Sequence, residues 1–349
     1  MPNIQDIIAH LETTAPPSYQ ESYDNAGLIT GTAAAAATGA IICLDATEAV
    51  IGEAIAKGCN LVVAHHPIVF RGLKRLTGKN YVERTVIKAI KNDVAIYAIH
   101  TNLDNVYHQG VNAKIAEKLG LKNTRILAPK KALKKLVVLV PEIAVSPLRA
   151  ALFEAGAGRV NGQSEVSFAA LGAGTTDGGI SAIFKLEVVY PSGNEGTVLE
   201  ALHTHAPGAH YEVSTIENHS LEVGSGYIGE LTKAVDEEAF LAQLKKTMKA
   251  GVVRHTGLLG HPVKTVALCG GAGSFLLPQA IAQKADIFIT GDFKYHEFFD
   301  AGGKIVIADI GHYESEQFTI ELLRDIIAEK FPTFALHLTK VNTNPVHYL

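Results

Sequence analysis

The feature that most constrains this chain is a set of short apolar runs, each stopping at a glycine, a histidine or an aspartate. "GAIICLD" (39–45), "NLVVA" (60–64) and "VAIYAIH" (94–100) lie in the first third. "KTVALCGG" (264–271), "ADIFITGD" (285–292) and "KIVIADIGH" (304–312) lie in the last. Helical patterns separate or follow them: "ATEAVIGEAIAKG" (46–58), a helix around 80–92, "GVNAKIAEKLG" (110–120) closed by a C-cap glycine, and the amphipathic "ESEQFTIELLRDIIAEK" (314–330). Alternation of this kind predicts an α/β sheet covered by helices. The alanine run 33–37, between Gly31 and Gly39, reads as a loop between strands.

The middle follows a different rule. "KKLVVLVPEIAVSPLRAALFEAGAG" runs strand, proline, helix, glycine. "FKLEVVYPSGNEGTVLEALHTHAPG" repeats that scheme with Pro191 in register with Pro141. Each copy is followed by a further strand, "EVSFAAL" and "HYEVSTIE". The duplication predicts a ferredoxin-like βαββαβ domain over 130–222, inserted into a discontinuous α/β core formed by 1–129 and 223–349. The flanks "LAPKK" and "EVGSGY" have linker composition.

Composition removes several classes. The 349 residues are 47% hydrophobic, ample for one large or two medium cores. A net charge of −4 gives no electrostatic case for nucleic acid or a membrane surface. No apolar stretch approaches a membrane span, and "MPNIQDIIAH" lacks a signal-peptide core, so a cytoplasmic location is expected. Cys43, Cys59 and Cys269 are scattered and odd in number, and read as small buried hydrophobes of a reduced protein. No GxSxG elbow is present for a serine hydrolase.

In open α/β sheets, sites form beyond the carboxyl ends of the strands. Here those ends carry Asp45, the adjacent His65 and His66, His100 with Asp104 behind it, Asp292, and His312. Neighbouring imidazoles on a strand point to opposite faces, but a turn before Pro67 would let the pair serve two neighbouring ions. An isolated pair of this kind also fits one capping histidine and one in solvent. His312 and Glu316, spaced i, i+4 at a helix start, share a face and suit one ion, although a surface ion pair has the same spacing. Three histidines and two carboxylates suit a dinuclear site with ions about 3.5–4 Å apart. Without thiolates, the donors fit Zn, Mn, Fe, Co or Ni, and are too nitrogen-rich for Mg or Ca. Asp292 and His296 form another i, i+4 pair, readable as acid/base or structural. The amides of "CGGAGSF" (269–275) suggest either a phosphate cradle or a tight turn.

Six motifs, "YDNAGLITG", "AHHPIVFRGLKRLT", "AIHTNLDNVYHQGVN", "GDFKYHEF", "ADIGHYESE" and "NTNPVHYL", together resemble the interacting-factor-three-like family, whose members are named as type 2 homologues of GTP cyclohydrolase I. The resemblance implies a core of two similar α/β halves with helices packed on a mixed sheet, a PII/CutA-type insertion, and toroidal homohexamers. It also implies a dinuclear centre held by His65, His66, Asp104, His312 and Glu316. The departure from the family pattern is a short junction between "SEVSFAALGAGTT" and "FKLEVV".

Two functional expectations follow. One is a hydrolase with two divalent transition metals, zinc foremost, using metal-activated water on a nucleotide or phosphorylated small molecule. His296 and His100 are then its candidate proton donors. The other is a non-catalytic metalloprotein whose insert senses a small molecule or caps the oligomer.

Overall fold

The computed structural model of the chain describes residues 2–176 and 179–349. It divides into two compact units, one of Met1–Ala128 with Gly224–Leu349, the other of Pro129–Val223.

The first part of the discontinuous unit runs α1 (Ile4–Thr14), β1 (Gly27–Thr30), β2 (Ala40–Asp45), α2 (Glu48–Ala56), β3 (Leu61–His66), α3 (Tyr81–Lys91), β4 (Ala95–Ala98), α4 (Thr101–Asp104), α5 (Val111–Leu119) and β5 (Lys122–Pro129). In the other unit come β6 (Leu133–Val140), α6 (Glu142–Glu154), β7 (Ser167–Thr176), β8 (Gly179–Pro191), α7 (Glu195–His205) and β9 (Tyr211–Thr215). The chain then returns through β10 (Gly224–Val235), α8 (Glu237–Thr247), β11 (Arg254–His255), β12 (Val263–Ala272), α9 (Leu277–Ala282), β13 (Ile287–Gly291), β14 (Val306–Asp309), α10 (His312–Glu316), α11 (Thr319–Lys330) and β15 (Leu336–Leu338).

The discontinuous unit holds two mixed sheets, ordered β1-β4-β3-β2-β15 and β11-β14-β13-β12-β10-β5. Each contains a parallel run, β15-β2-β3-β4 in one and β12-β13-β14 in the other, with antiparallel strands beside it. The runs are apolar on both faces because both faces are covered. In β2, Ile42 packs with α1, α5 and α11, while Ile41 and Cys43 pack with α2. In β12, Val266 and Leu268 point to one core and Ala267 and Cys269 to the other.

The 129–223 unit folds as β-α-β-β-α-β, with its sheet ordered β7-β8-β6-β9 and every pairing antiparallel. Leu136, Val138 and Val140 alternate inward against Leu148, Leu152, Val198 and Leu202. That period-two burial of one face is why this stretch reads differently from the parallel runs. The short junction noted in the sequence, residues 177–183, begins with Asp177 and Gly178, which lie outside the described residues. Among the described residues the cysteines are buried and form no disulfide, and no helix is long and apolar enough to cross a membrane.

Candidate metal centre

The carboxyl ends of the two parallel runs face one cleft of about 790 Å³, lined by His66, His100, Asp104, Asp292, His312 and Glu316 among others. One difference from the sequence expectation lies at β3, which continues through both histidines instead of turning before Pro67. Asp45 is the Cα partner of His66 across the β2–β3 ladder. The histidine rings nevertheless lie together, centroids 4.9 Å apart and planes at 46°.

Glu316 is the hub. It arrives on α10, which starts after Gly311 and sets His312 and Glu316 one turn apart, Nε2 to Oε2 3.2 Å. Its Oε2 also accepts from His66 Nε2 at 2.9 Å, while its Oε1 lies 3.7 Å from His65 Nε2. His65 Nε2 lies 3.6 Å from Asp104 Oδ1. The two oxygens of one buried carboxylate thus face two donor groups, His65 with Asp104 and His66 with His312. His65, His66 and Glu316 offer ligand atoms within 4.8 Å of one another, a cluster able to hold a metal ion.

Each imidazole is aimed by its other nitrogen. His65 Nδ1 is 2.8 Å from the Ile99 carbonyl, His66 Nδ1 is 2.9 Å from Asp45 Oδ1, and His312 Nδ1 is 2.8 Å from Asp292 Oδ2. Such contacts fix a proton on Nδ1 and turn Nε2 toward the cluster, the arrangement that orients metal-binding histidines. Burial opposes charge on His66, yet Glu316 and Asp45 push its pKa up to about 10. His312, buried as well, is pushed up to about 11 by Glu316 and Asp292. Burial also works against ionisation of Glu316, but His312 and His66 hold it well below the ordinary carboxylate range. Burial raises Asp104, partly offset by His65.

Among the described residues, His65 Nε2 and Asp104 Oδ1 are buried without a hydrogen-bond partner. An orphaned buried polar group costs about 1–3 kcal/mol, large against a net stability of about 5–15 kcal/mol. Two orphans facing each other beside a buried carboxylate are what a cation would satisfy. The residues present fit a metal.

Glycines admit this packing. A Cβ on Gly271, whose φ is +65°, would sit 2.5 Å from Glu316 Oε1; one on Gly291 would sit 2.8 Å from the His312 amide. This corrects the phosphate-cradle reading of "CGGAGSF". The Gly270, Gly271 and Gly273 amides already donate to Asn112 Oδ1, Ser315 Oγ and Thr290 Oγ1, each at 2.9 Å. Gly271→Ala is expected to cost about 1–3 kcal/mol from the left-handed backbone alone and to displace Glu316. A denaturant midpoint and metal content both equal to those of the parent protein would contradict that account.

His100 lies beside the cluster, its ring centroid 5.4 Å from both His65 and His66. Its Nδ1 is 2.8 Å from Asp24 Oδ1, and Asp24 Oδ2 accepts from the Thr101 amide and hydroxyl. Burial is outweighed by these bonds, which hold Asp24 down to about 2. His296 is not brought to the cluster: it is exposed on a 3-10 helix, Tyr295–Ala301, and stacks on Phe299 with centroids 6.5 Å apart. Asp292 pairs with His312 instead. The sequence does not mark Asp24 as a site residue, because nothing local in "YDNAGLITG" points to a partner 76 residues away.

A histidine–carboxylate cluster gathered at the facing ends of two parallel runs of a mixed α/β unit defines a protein with a candidate metal site in an open cleft. The chain belongs to the Duf34/NIF3 (NGG1p interacting factor 3) family, whose family model matches residues 2–345. It is 34% identical over 373 residues to the GTP cyclohydrolase 1 type 2 homolog of Bacillus subtilis, covering 99% of each chain. The similarly named protein of Halalkalibacterium halodurans is 33% identical over 370 residues, again with 99% of each covered. A Bacillus cereus protein related to NIF3 superposes with a TM-score of 0.84 at 33% identity, covering 100% of this chain and 99% of that one.

Proposed function

We propose that this protein is a dinuclear-metal-dependent hydrolase acting on a nucleotide or related phosphorylated small molecule. The observation that carries the reading is Glu316, with one oxygen toward His65 and Asp104 and the other toward His66 and His312. That is three protein donors per ion, the pattern of catalytic sites, whereas purely structural sites are closed by four. This count favours an enzyme over a storage or regulatory metalloprotein. Nitrogen and oxygen donors without thiolate suit Zn, Mn, Fe, Co or Ni. Two such ions, when bound, supply the Lewis acidity that makes water a nucleophile near neutral pH.

The chain's own residues do the rest. Asp45, Asp292 and the Ile99 carbonyl hold the ring tautomers. His100, held by Asp24, takes or returns a proton at its Nε2. Phe70, whose ring centroid is 6.3 Å from that of His100, lines the same cleft. The relatives' name directs the substrate search to GTP, with ring opening and loss of formate as one outcome and phosphoester cleavage as the other. Zinc, a homohexameric ring and a cytoplasmic location are the expected metal, assembly and compartment, and rest on family likeness.

The test is direct. Purified protein is expected to carry about two transition-metal ions per chain. It is then incubated with GTP and a panel of phosphoesters, with formate and phosphate assayed separately. Product no higher than from metal-stripped protein would overturn the hydrolase reading.

A further inference from the structure

The closing motif "NTNPVHYL" is used by none of the chemistry above, yet it lies against the metal cluster. After β15, the Thr339 amide donates to the Ile42 carbonyl at 3.0 Å and its hydroxyl to Glu53 Oε2 at 2.6 Å, which ties the segment to β2 and α2. Two successive side-chain turns then fold it: Asn342 Oδ1 accepts from the Asn344 amide, and Asn344 Oδ1 from the Val346 amide, each at 3.0 Å. Between them the Thr343 hydroxyl donates to Asp45 Oδ2 at 2.7 Å. The other oxygen of Asp45 is the one that accepts from His66 Nδ1 at 2.9 Å. One residue on, Asn344 Nδ2 donates to Glu314 Oε1 at 3.1 Å, and Glu314 shares α10 with His312 and Glu316. The segment therefore grips both sides of the cluster, the β3 side through Asp45 and the α10 side through Glu314. Its next residues, Pro345 and Val346, line the cleft.

We propose that residues 339–348 are a clamp on the metal centre, with Thr343 a positioning residue that sets metal affinity by fixing Asp45 and, through it, the His66 ring. The proposal rests on the metal-centre reading. Its physical basis is that a carboxylate anchored at only one oxygen can rotate, whereas one anchored at both holds the imidazole in a single plane. Loss of a contact made directly to a metal ligand, as Asp45 makes to His66, ordinarily weakens a metal site about 10–100-fold, and Thr343, one bond further out, acts at the low end of that range. The clamp also joins two functions in one piece of chain: what enters the cleft meets Pro345 and Val346, two and three residues from the hydroxyl that aligns a ligand.

The experiment measures zinc affinity of the full-length protein by competition with a chromophoric chelator, alongside the visible spectrum of the cobalt-loaded form. Thr343→Val, nearly isosteric but without the hydroxyl, is expected to bind zinc about 10-fold more weakly and to shift the cobalt bands. Thr343→Ser is expected to behave as the parent protein in both readouts. In an Asp45→Asn background, Thr343→Val is expected to cost nothing further, because its route to the metal is already cut. Unchanged zinc affinity in Thr343→Val, or an equal loss in the Asp45→Asn background, overturns the clamp while leaving the centre intact. A parent protein that takes up no zinc overturns the centre, and the clamp with it.

Discussion

Glu316→Gln is expected to lose most of its bound metal and to bind zinc more than about 100-fold more weakly, beyond the range typical of outer-contact losses. The carboxylate is only 3% exposed and is shared by both donor groups. Glutamine keeps the volume but removes the charge, and sets an amide N–H2 against nitrogen donors that need an acceptor or a cation. His65→Ala is the companion variant. It removes the imidazole whose Nε2 has no hydrogen-bond partner among the described residues, so it tests the half of the cluster containing Asp104. Metal analysis after exhaustive dialysis reads both. If a variant combining His65→Ala with Glu316→Gln still carried the parent's metal content, the ligand assignment would be wrong.

The second large effect concerns proton transfer. His100→Ala is expected to keep its metal and lose about 100-fold or more in turnover, the range for a positioned acid or base. The argument is geometric: the Asp24 contact claims Nδ1, and no hydrogen bond among the described residues claims Nε2. Asp24→Asn should fall in the same direction at unchanged metal content, since an amide no longer enforces the tautomer. Because burial is outweighed by its bonds to His100 and Thr101, which hold Asp24 down to about 2, Asp24 is expected to stay ionised from about pH 5 upward, so an acid limb found there in a pH–rate profile would belong to another group. Metal and activity lost in parallel in His100→Ala would make His100 a ligand instead.

Much of this site is legible in the sequence, for a specific reason. Parallel strands buried on both faces have to be apolar along their length, so a histidine or aspartate at their ends stands out. That marks His65 and His66 at the end of β3, with Asp104 and His312 just beyond the ends of β4 and β14, and the helical spacing adds Glu316. The same spacing rule misleads for Asp292 and His296. Asp292 has φ +59° and stands before a 3-10 helix, so four residues along the chain are not one turn along a helix face. The glycines of "CGGAGSF" show a similar limit, because amides that look available are occupied by Asn112, Ser315 and Thr290. Asp24, and Thr343 with its partner 298 residues away, are set wholly by tertiary contacts that no local pattern encodes. The two-unit division has better local signals: duplicated strand–proline–helix text, and a change from two-faced to one-faced burial.

The hydrogen bond between His66 and Glu316 spans 250 residues of chain. At a synthesis rate of about 5–20 residues per second, the first histidines would leave the ribosome roughly 12–50 s before the carboxylate they need. Between the two, the cell must also make the whole of the 129–223 unit. The proposed centre would therefore be a late product of biosynthesis: until α10 is made, a nascent chain offers passing ions His65, His66 and Asp104, but neither His312 nor Glu316.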